Sequence, residues 1–300
     1  VRVTVTGAAG FAGRHLVAHL RDCGDEVTTI DRHGPQPVDV TDAEAVRHAI
    51  AAARPEVVYH LAAWSHVGAS WDDPAAAFRV NAEGTLNVLR ACAAAAVARV
   101  LVVGSAEEYG RADGVPLDED APLRPLTPYG AGKVAADVLA LQAHLGDGLA
   151  TVRVRPFTHT GPGQSPRFVV PALAQRIAAA EREGPDTVPV GNLDPVRDLT
   201  DVRDVVRAYR LAALDGAPGE VYNVCSGRGV PVAEVAERLL ALARRPLRLV
   251  TDPALVRPVE VPYLVGSPAR LRAATGWAPE IPLERTLADV LDEARAAAAG

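Results

Sequence analysis

The sequence predicts an α/β fold, a doubly wound parallel sheet with a smaller, helix-rich portion toward the C-terminus. Two kinds of segment and one turn predict it. Apolar, β-rich runs at 1–6, 26–30, 56–60, 98–104 and 149–155 read as strands, and Ala- and Leu-rich segments at about 11–23, 42–53, 74–96 and 128–145 read as the helices between them. Strands in alternation with helices form a parallel sheet covered on both faces. Right-handed crossovers then wind the sheet in both directions. The turn is Thr6-Gly7-Ala8-Ala9-Gly10-Phe11-Ala12-Gly13, which closes the first strand and opens the first helix.

Size and charge set the outer limits. The chain has 300 residues, 49% of them hydrophobic, enough for a substantial core. The formal net charge is -6 with no long basic run, which argues against nucleic-acid and membrane-surface partners. Charged residues or glycine interrupt every apolar stretch well before the ~20 residues that span a bilayer. Val1-Arg2-Val3-Thr4-Val5 reads as a strand rather than a signal peptide. Cys23, Cys92 and Cys225 lie far apart with no metal-type spacing, so they are expected to be buried thiols in a reducing cytoplasm, with no metal site.

The glycine turn has a physical purpose. The chain must bend sharply, let a pyrophosphate approach its backbone, and pack helix against strand; glycine serves all three needs, and the free N–H groups of the helix start receive the phosphates. An ordinary turn also uses glycine, but this one sits at the strand-to-helix junction the motif requires. Asp31 ends the second strand, eighteen positions beyond Gly13. A carboxylate there accepts from the adenosine ribose hydroxyls and repels a 2′-phosphate, so NAD(H) is favoured. Arg32 beside it leaves NADP(H) open, and Asp31 could instead be a strand-end turn acid. Asp39-Val40 falls where adenine should lie; a helix cap shared with Thr41 is the other reading.

Ser105 ends the fourth strand. Tyr129 and Lys133 are four apart and share one helix face. Thr127 suits the cap of that helix and Pro128 its first turn. Hydride addition to a ketone builds negative charge on oxygen. A phenol can protonate that oxygen, although its reference pKa of about 10 calls for a nearby ammonium to favour the phenolate. A serine hydroxyl can hydrogen-bond the same atom. Of 31 basic residues in the chain, Lys133 is the one lysine. Codon bias toward arginine explains the others but not this position, where the bulkier guanidinium is a poorer substitute.

After Pro156 the alternation stops. Gly161-Pro162-Gly163-Gln164 is a loop, a helix is expected at 168–183, and Gly184-Pro185 closes it. A helix at 201–214 and a strand at 220–225 return to the main sheet, and 227–300 is helix-rich with short strands. The expected division is 1–156 with 195–226 as a dinucleotide-binding Rossmann domain, and 157–194 with 227–300 as a second domain for substrate.

With Gly7, Gly10, Gly13, Ser105, Tyr129 and Lys133 in place, the chain resembles an extended short-chain dehydrogenase/reductase. His60-Leu61-Ala62-Ala63 and Val80-Asn81-Ala82-Glu83-Gly84-Thr85 resemble its sugar-nucleotide branch. Arg155-Pro156-Phe157-Thr158-His159-Thr160-Gly161-Pro162-Gly163-Gln164 resembles the GDP-mannose 4,6-dehydratases and the GDP-4-keto-6-deoxy-mannose reductases, the latter more closely. So do Val221-Tyr222-Asn223-Val224-Cys225-Ser226-Gly227, Arg257-Pro258-Val259-Glu260-Val261, Gly266-Ser267-Pro268-Ala269-Arg270-Leu271 and Thr275-Gly276-Trp277-Ala278-Pro279-Glu280-Ile281.

The resemblance implies an NAD(P)-dependent oxidoreductase acting on a nucleotide-linked sugar, a GDP-sugar for preference. It implies that Phe11, Leu61, Ala62 and Ala63 join the glycines, Asp31, Arg32, Asp39, Val40, Tyr129 and Lys133 around the cofactor. Arg197 and Arg257 would bind the substrate diphosphate, for which guanidinium forks are suited. Glu260 would hold the nucleotide ribose, and Ser65, Glu107 and Thr158 would face the sugar. Relatives commonly pair through the helices at 74–96 and 128–145, whose apolar residues cover more than one face, so a homodimer is expected. Two departures stand out. Thr158 occupies a position where these relatives usually carry Asn, and Ala106 removes the acid that glucose-type 4,6-dehydratases place beside the catalytic hydroxyl. Glu107 stays, as in the mannose-type dehydratases. A 4-keto reductase is therefore the first reading, a 4,6-dehydratase with Glu107 as the C5 base the second, and a C4 epimerase the third. A non-catalytic cofactor sensor on the same fold would have no need of Ser105, Tyr129 and Lys133.

Overall fold

Val3, Val5, Val57, Val58, Val100, Val102, Val152 and Val154 are all buried. Strands this apolar on both faces belong inside a parallel sheet. The computed structural model describes every residue except Pro35, Asp113, 257–260 and Gly300. Its first half runs β1 (Arg2–Thr6), α1 (Phe11–Asp22), β2 (Glu26–Ile30), α2 (Ala43–Ala53), β3 (Val57–His60), α3 (Pro74–Phe78), α4 (Gly84–Ala94), β4 (Arg99–Val103), α5 (Pro128–Asp147) and β5 (Thr151–Pro156). The next stretch holds β6 (His159–Thr160), α6 (Val169–Glu183), β7 (Thr187–Val190), β8 (Val196–Asp198), β9 (Thr200–Asp201), α7 (Val202–Asp215) and β10 (Val221–Val224). The last holds β11 (Gly229–Pro231), α8 (Val232–Ala241), β12 (Arg248–Thr251), β13 (Tyr263–Leu264), α9 (Ala269–Thr275) and α10 (Leu283–Ala299).

The six-stranded sheet has the order β10-β5-β4-β3-β1-β2, with every neighbouring pair parallel. β10 joins it at the far edge beside β5, the return expected of 220–225. One core lies under α1 and α7, where Leu16, Leu20, Val205, Tyr209 and Trp277 are buried. A second lies under α2, α4 and α5, around Val46, Ile50, Val88, Cys92 and Ala140. A third, separate core is made by α6, α8 and α10 with β7, and includes Leu173, Ile177, Leu239 and Leu291.

Two expectations need correction. Cys23 is exposed, unlike Cys92 and Cys225. It caps the C-terminus of α1, where the chain turns at the surface. The segment 74–96 is helical but not one regular helix: Arg79–Glu83 forms a π turn between α3 and α4. Such an insertion rotates one residue out of the normal ladder. Asn81 lies within this turn, and its carboxamide oxygen accepts from the Trp64 amide at 2.8 Å.

Candidate active site

The carboxyl ends of the strands open on one crevice. The winding reverses between β1 and β3, and in open α/β sheets ligands bind at that switch point. Gly7 has φ +70°, and a Cβ there would lie 2.6 Å from the Ala62 nitrogen. A Cβ on Gly13 would lie 2.1 Å from the Gly7 carbonyl oxygen. Neither position tolerates a side chain. Gly10 precedes α1, whose first turn carries no acid. This bare helix start is a cradle that fits a dinucleotide pyrophosphate, since its free N–H groups and positive dipole end favour an anion.

Asp31 stands at the lip of the cradle. Its carboxylate accepts from the Ala9 amide at 2.9 Å and the His33 amide at 3.0 Å. That ties the end of β2 to the glycine turn. The Asp39 carboxylate accepts from the Thr41 amide and hydroxyl at 2.9 and 2.8 Å. The cap of α2 is Asp42, which accepts from the Glu44 and Ala45 amides. Asp39 is thus not the helix cap; the chain turns for three residues more before Asp42 caps the helix.

The end of β3 is fixed by a directed chain of hydrogen bonds. The Thr85 hydroxyl donates to the Asn81 carbonyl at 2.6 Å, so it must accept from His60 Nε2 at 3.0 Å. His60 Nδ1 is then the acceptor for the Thr6 hydroxyl at 2.8 Å, and Thr6 in turn accepts from the Ala62 amide at 3.2 Å. His60 stays neutral: burial, then the Lys133 charge, pull its pKa down to about 3. One tautomer therefore locks the glycine turn to the Leu61-Ala62-Ala63 segment.

The chemical group assembles from β4 and α5. Thr127 caps α5, accepting from the Gly130 amide at 3.0 Å, and Pro128 occupies its first turn. The Tyr129 amide donates to Ser70 Oγ at 3.2 Å, a contact no local motif announces. Ser105 caps the short turn Ala106–Glu108. Desolvation of the half-buried Tyr129 phenol raises its pKa; a hydrogen bond with Ser105 opposes this, and the charges of Glu107 and Glu108 reinforce it. The phenol is thus held in its protonated form. Lys133 Nζ donates to the Val103 carbonyl at 2.7 Å rather than bonding the phenol, so the expected pull of the ammonium toward phenolate is outweighed by burial. Burial also lowers the Lys133 pKa to about 8, with Glu108 opposing. Glu107 is raised by burial, and the nearby Arg197 charge works against that rise.

A cavity of about 1130 Å³ joins these parts. Its lining includes Gly7, Gly10, Phe11, Gly13, Asp31, Arg32, Asp39, Val40, Leu61, Ala62, Ala63, Ser65, Ser105, Glu107, Tyr129, Lys133, Thr158 and Arg197. Every sequence-derived site residue within the described chain therefore reaches one space. Arg257 and Glu260 lie outside the described residues. The wall also contains His66, Arg167, Phe168, Arg176 and Asn192, which sequence reasoning passed over. They come from segments without a spaced motif, and an arginine in an arginine-rich chain carries little signal. Glu108, just behind Ser105, was legible as the last residue of a Ser-x-x-Glu capping box.

Residues 3–225 match the NAD dependent epimerase/dehydratase family. The chain is 35% identical over 296 residues to GDP-6-deoxy-D-mannose reductase of Pseudomonas aeruginosa, covering 97% of this chain and 96% of that one. Among solved structures, RMD from Pseudomonas aeruginosa complexed with NADPH is similar with a TM-score of 0.91 and 33% identity, over 99% of this chain and 100% of that one. UDP-glucose 4-epimerase from Thermus thermophilus in complex with NAD is similar with a TM-score of 0.90 and 31% identity, over 99% and 100% of the two chains. The chain belongs to the NAD-dependent epimerase/dehydratase family and is an oxidoreductase of the extended short-chain dehydrogenase/reductase type.

Proposed function

We propose that this protein reduces the C4 keto group of a nucleotide-linked 4-keto-6-deoxy sugar, converting GDP-4-keto-6-deoxy-mannose to GDP-rhamnose with NADH or NADPH. The observation that carries the reading is a half-buried Tyr129, its phenol held protonated by desolvation, beside Ser105 and Lys133 in a cavity that also holds an arginine. The reduction needs a proton donor at the sugar oxygen, and a phenol held in its acid form is one. The near-full-length likeness to a GDP-6-deoxy-D-mannose reductase supports the choice of sugar and base.

The residues divide the work as follows. The reduced nicotinamide ring, when bound, supplies the hydride. Gly7, Gly10 and Gly13 leave room for the pyrophosphate, and Phe11 and Leu61-Ala62-Ala63 wall that end. Asp31 receives the adenosine ribose hydroxyls, which favours NADH, and Arg32 beside it admits a 2′-phosphate. Asp39 and Val40 border the adenine. Tyr129 Oη gives its proton to the sugar O4 as charge develops there, Ser105 Oγ donates to the same oxygen, and Lys133 holds the nicotinamide ribose. Arg197 binds the diphosphate. Ser65, Glu107 and Thr158 contact the sugar.

The second reading is a 4,6-dehydratase, and Glu107 is what favours it. Burial raises its pKa, with the Arg197 charge opposing, and a more basic carboxylate suits proton removal at C5. The two readings differ in redox balance. GDP-mannose with oxidised cofactor and GDP-4-keto-6-deoxy-mannose with reduced cofactor are offered separately. Loss of reduced-nicotinamide absorbance in proportion to product, in the second mixture alone, is the expected result. A 4-keto product from GDP-mannose with no net change in cofactor would move the assignment to the dehydratase.

We further infer a homodimer paired through α5 and its neighbours. Val138 and Leu145, on one face of α5, are 53% and 74% exposed, and Phe78 at the end of α3 is 51% exposed. Sedimentation should give a dimer at micromolar concentration; a monomer there would contradict the pairing. No described helix is long and apolar enough to cross a membrane, and the unbridged cysteines support a reducing, cytoplasmic setting.

A further inference from the structure

Arg197 reaches the cavity from β8, the middle strand of a small three-stranded sheet. It is paired on both sides, with Val230 of β11 and Leu264 of β13. The next residue, Asp198, points to the opposite face, as alternation along a strand requires, and it is fully buried. Its carboxylate takes four donors. Oδ1 accepts from the Ser226 amide at 2.7 Å and the Ser226 hydroxyl at 2.6 Å. Oδ2 accepts from the Gly227 amide at 2.9 Å and, at longer range, from the Gly266 amide at 3.4 Å. None of these partners is a cation, and none is local: they lie 28, 29 and 68 positions along the chain. Ser226 and Gly227 follow β10, the edge strand of the main sheet, and Gly266 follows β13. A Cβ on Gly266 would lie 2.5 Å from the Phe157 ring and 2.8 Å from Cys225 Sγ, so the junction has no slack.

We propose that Asp198 is a positioning residue: it ties β8 to the end of β10 and so fixes where Arg197 stands relative to the chemical group on β4 and α5. The inference rests on Arg197 as the ligand of the substrate diphosphate, and it adds the device that holds that arginine in place. A contact misplaced by about 1 Å can cost about 10²-fold even when the fault lies away from the chemistry, so the backbone beneath a phosphate-binding side chain has to be fixed. A buried carboxylate is a costly way to join two segments. Its use here has a stereochemical reason, because both oxygens must accept. Oδ1 serves Ser226, and Oδ2 serves Gly227 and Gly266. An asparagine cannot do the same. Whichever way its amide is turned, an NH₂ group faces a backbone N–H, that of Ser226 on one side or that of Gly227 on the other.

Calorimetry tests this without turnover. NADH affinity is measured first, and GDP and UDP are then titrated onto the NADH-saturated protein; the two share the diphosphate, so the identity of the base does not decide the result. Asp198→Asn is expected to weaken nucleoside-diphosphate binding about tenfold and to leave NADH affinity within about twofold of wild type. Beside Arg197→Met the same substitution should add no more than about twofold, because the contact it misplaces is already gone. Ser226→Ala takes one donor from Oδ1 and keeps the three amides, so it is expected to fold even where Asp198→Asn does not. It should weaken binding about threefold, and this loss too should vanish beside Arg197→Met. Full additivity with Arg197→Met would overturn the inference, since Asp198 would then act on the site by another route. A loss of NADH affinity equal to that for GDP would overturn it as well. So would unchanged nucleoside-diphosphate affinity in Asp198→Asn, or in Ser226→Ala should that be the variant that folds. Weakened binding in Arg197→Met with none in the Asp198 or Ser226 variants would strike this inference alone. Unweakened binding in Arg197→Met would strike the diphosphate assignment with it.

Discussion

The glycine-turn end and the arginine-lined end of the cavity are built of different material. At the first, backbone forms the wall: Gly7 and Gly13 leave no room for a single added carbon, and the start of α1 has no side-chain cap. At the second, long side chains reach in from separate segments, Arg167, Arg176 and Arg197 among them. A backbone cradle is intolerant of change and serves any dinucleotide. A wall of side chains can be exchanged one residue at a time. The chain is accordingly similar, over nearly its whole length, to proteins as different as a GDP-6-deoxy-D-mannose reductase and a UDP-glucose 4-epimerase.

This contrast can be tested from its strongest point to its weakest. Gly13→Ala should act most severely, since the new Cβ has only backbone to push against. Overpacking of this kind costs about 3 kcal/mol, so thermal unfolding should drop sharply and calorimetry should find no saturable cofactor binding. Wild-type binding would mean the cradle is looser than described. Tyr129→Phe should lower turnover by about 10²-fold or more with cofactor affinity retained, as read by steady-state kinetics and fluorescence titration; near-normal turnover would remove the phenol from the mechanism.

Arg197→Met probes the other end. Losing a hydrogen bond to a charged group costs about 1.5–3 kcal/mol, so GDP affinity should weaken by roughly one to two powers of ten while cofactor affinity is unchanged. Equal GDP affinity would place the diphosphate elsewhere. The pH dependence follows from Lys133, whose ammonium form loses its proton as pH rises through about 8. Activity should therefore be flat below that value and decline above it, and a decline beginning two units higher would contradict a buried, desolvated amine. Asp31→Ala should have the smallest effect. The wild type should prefer NADH, and the variant should lose about fivefold of that preference, the equivalent of about 1 kcal/mol; a wild type that prefers NADPH would contradict the role given to Asp31.

What could be read in the sequence follows the same division. The glycine turn, the Tyr129–Lys133 spacing and the capping of α5 by Thr127 are local patterns, each fixed by backbone geometry within a few residues. The positions of Ser70 and Asn81 were not legible. Ser70 meets the Tyr129 amide across 59 residues, and Asn81 meets the Trp64 amide from within a π turn that no composition marks. Glu108 fell between these cases. Its Ser-x-x-Glu spacing was visible, but Glu107 beside it drew the chemical reading. The exposed Cys23 was misjudged because burial statistics for cysteine say nothing about a residue that ends a surface helix.

The central claim is that hydride enters the sugar at C4 and stays there. The most direct measurement uses reduced cofactor carrying deuterium at the transferable position of the nicotinamide, with GDP-4-keto-6-deoxy-mannose as substrate and NMR of the product sugar. One deuterium at C4 and none at C6, with one cofactor oxidised per product, is the predicted result. A product free of deuterium, or labelled at C6, would contradict the account.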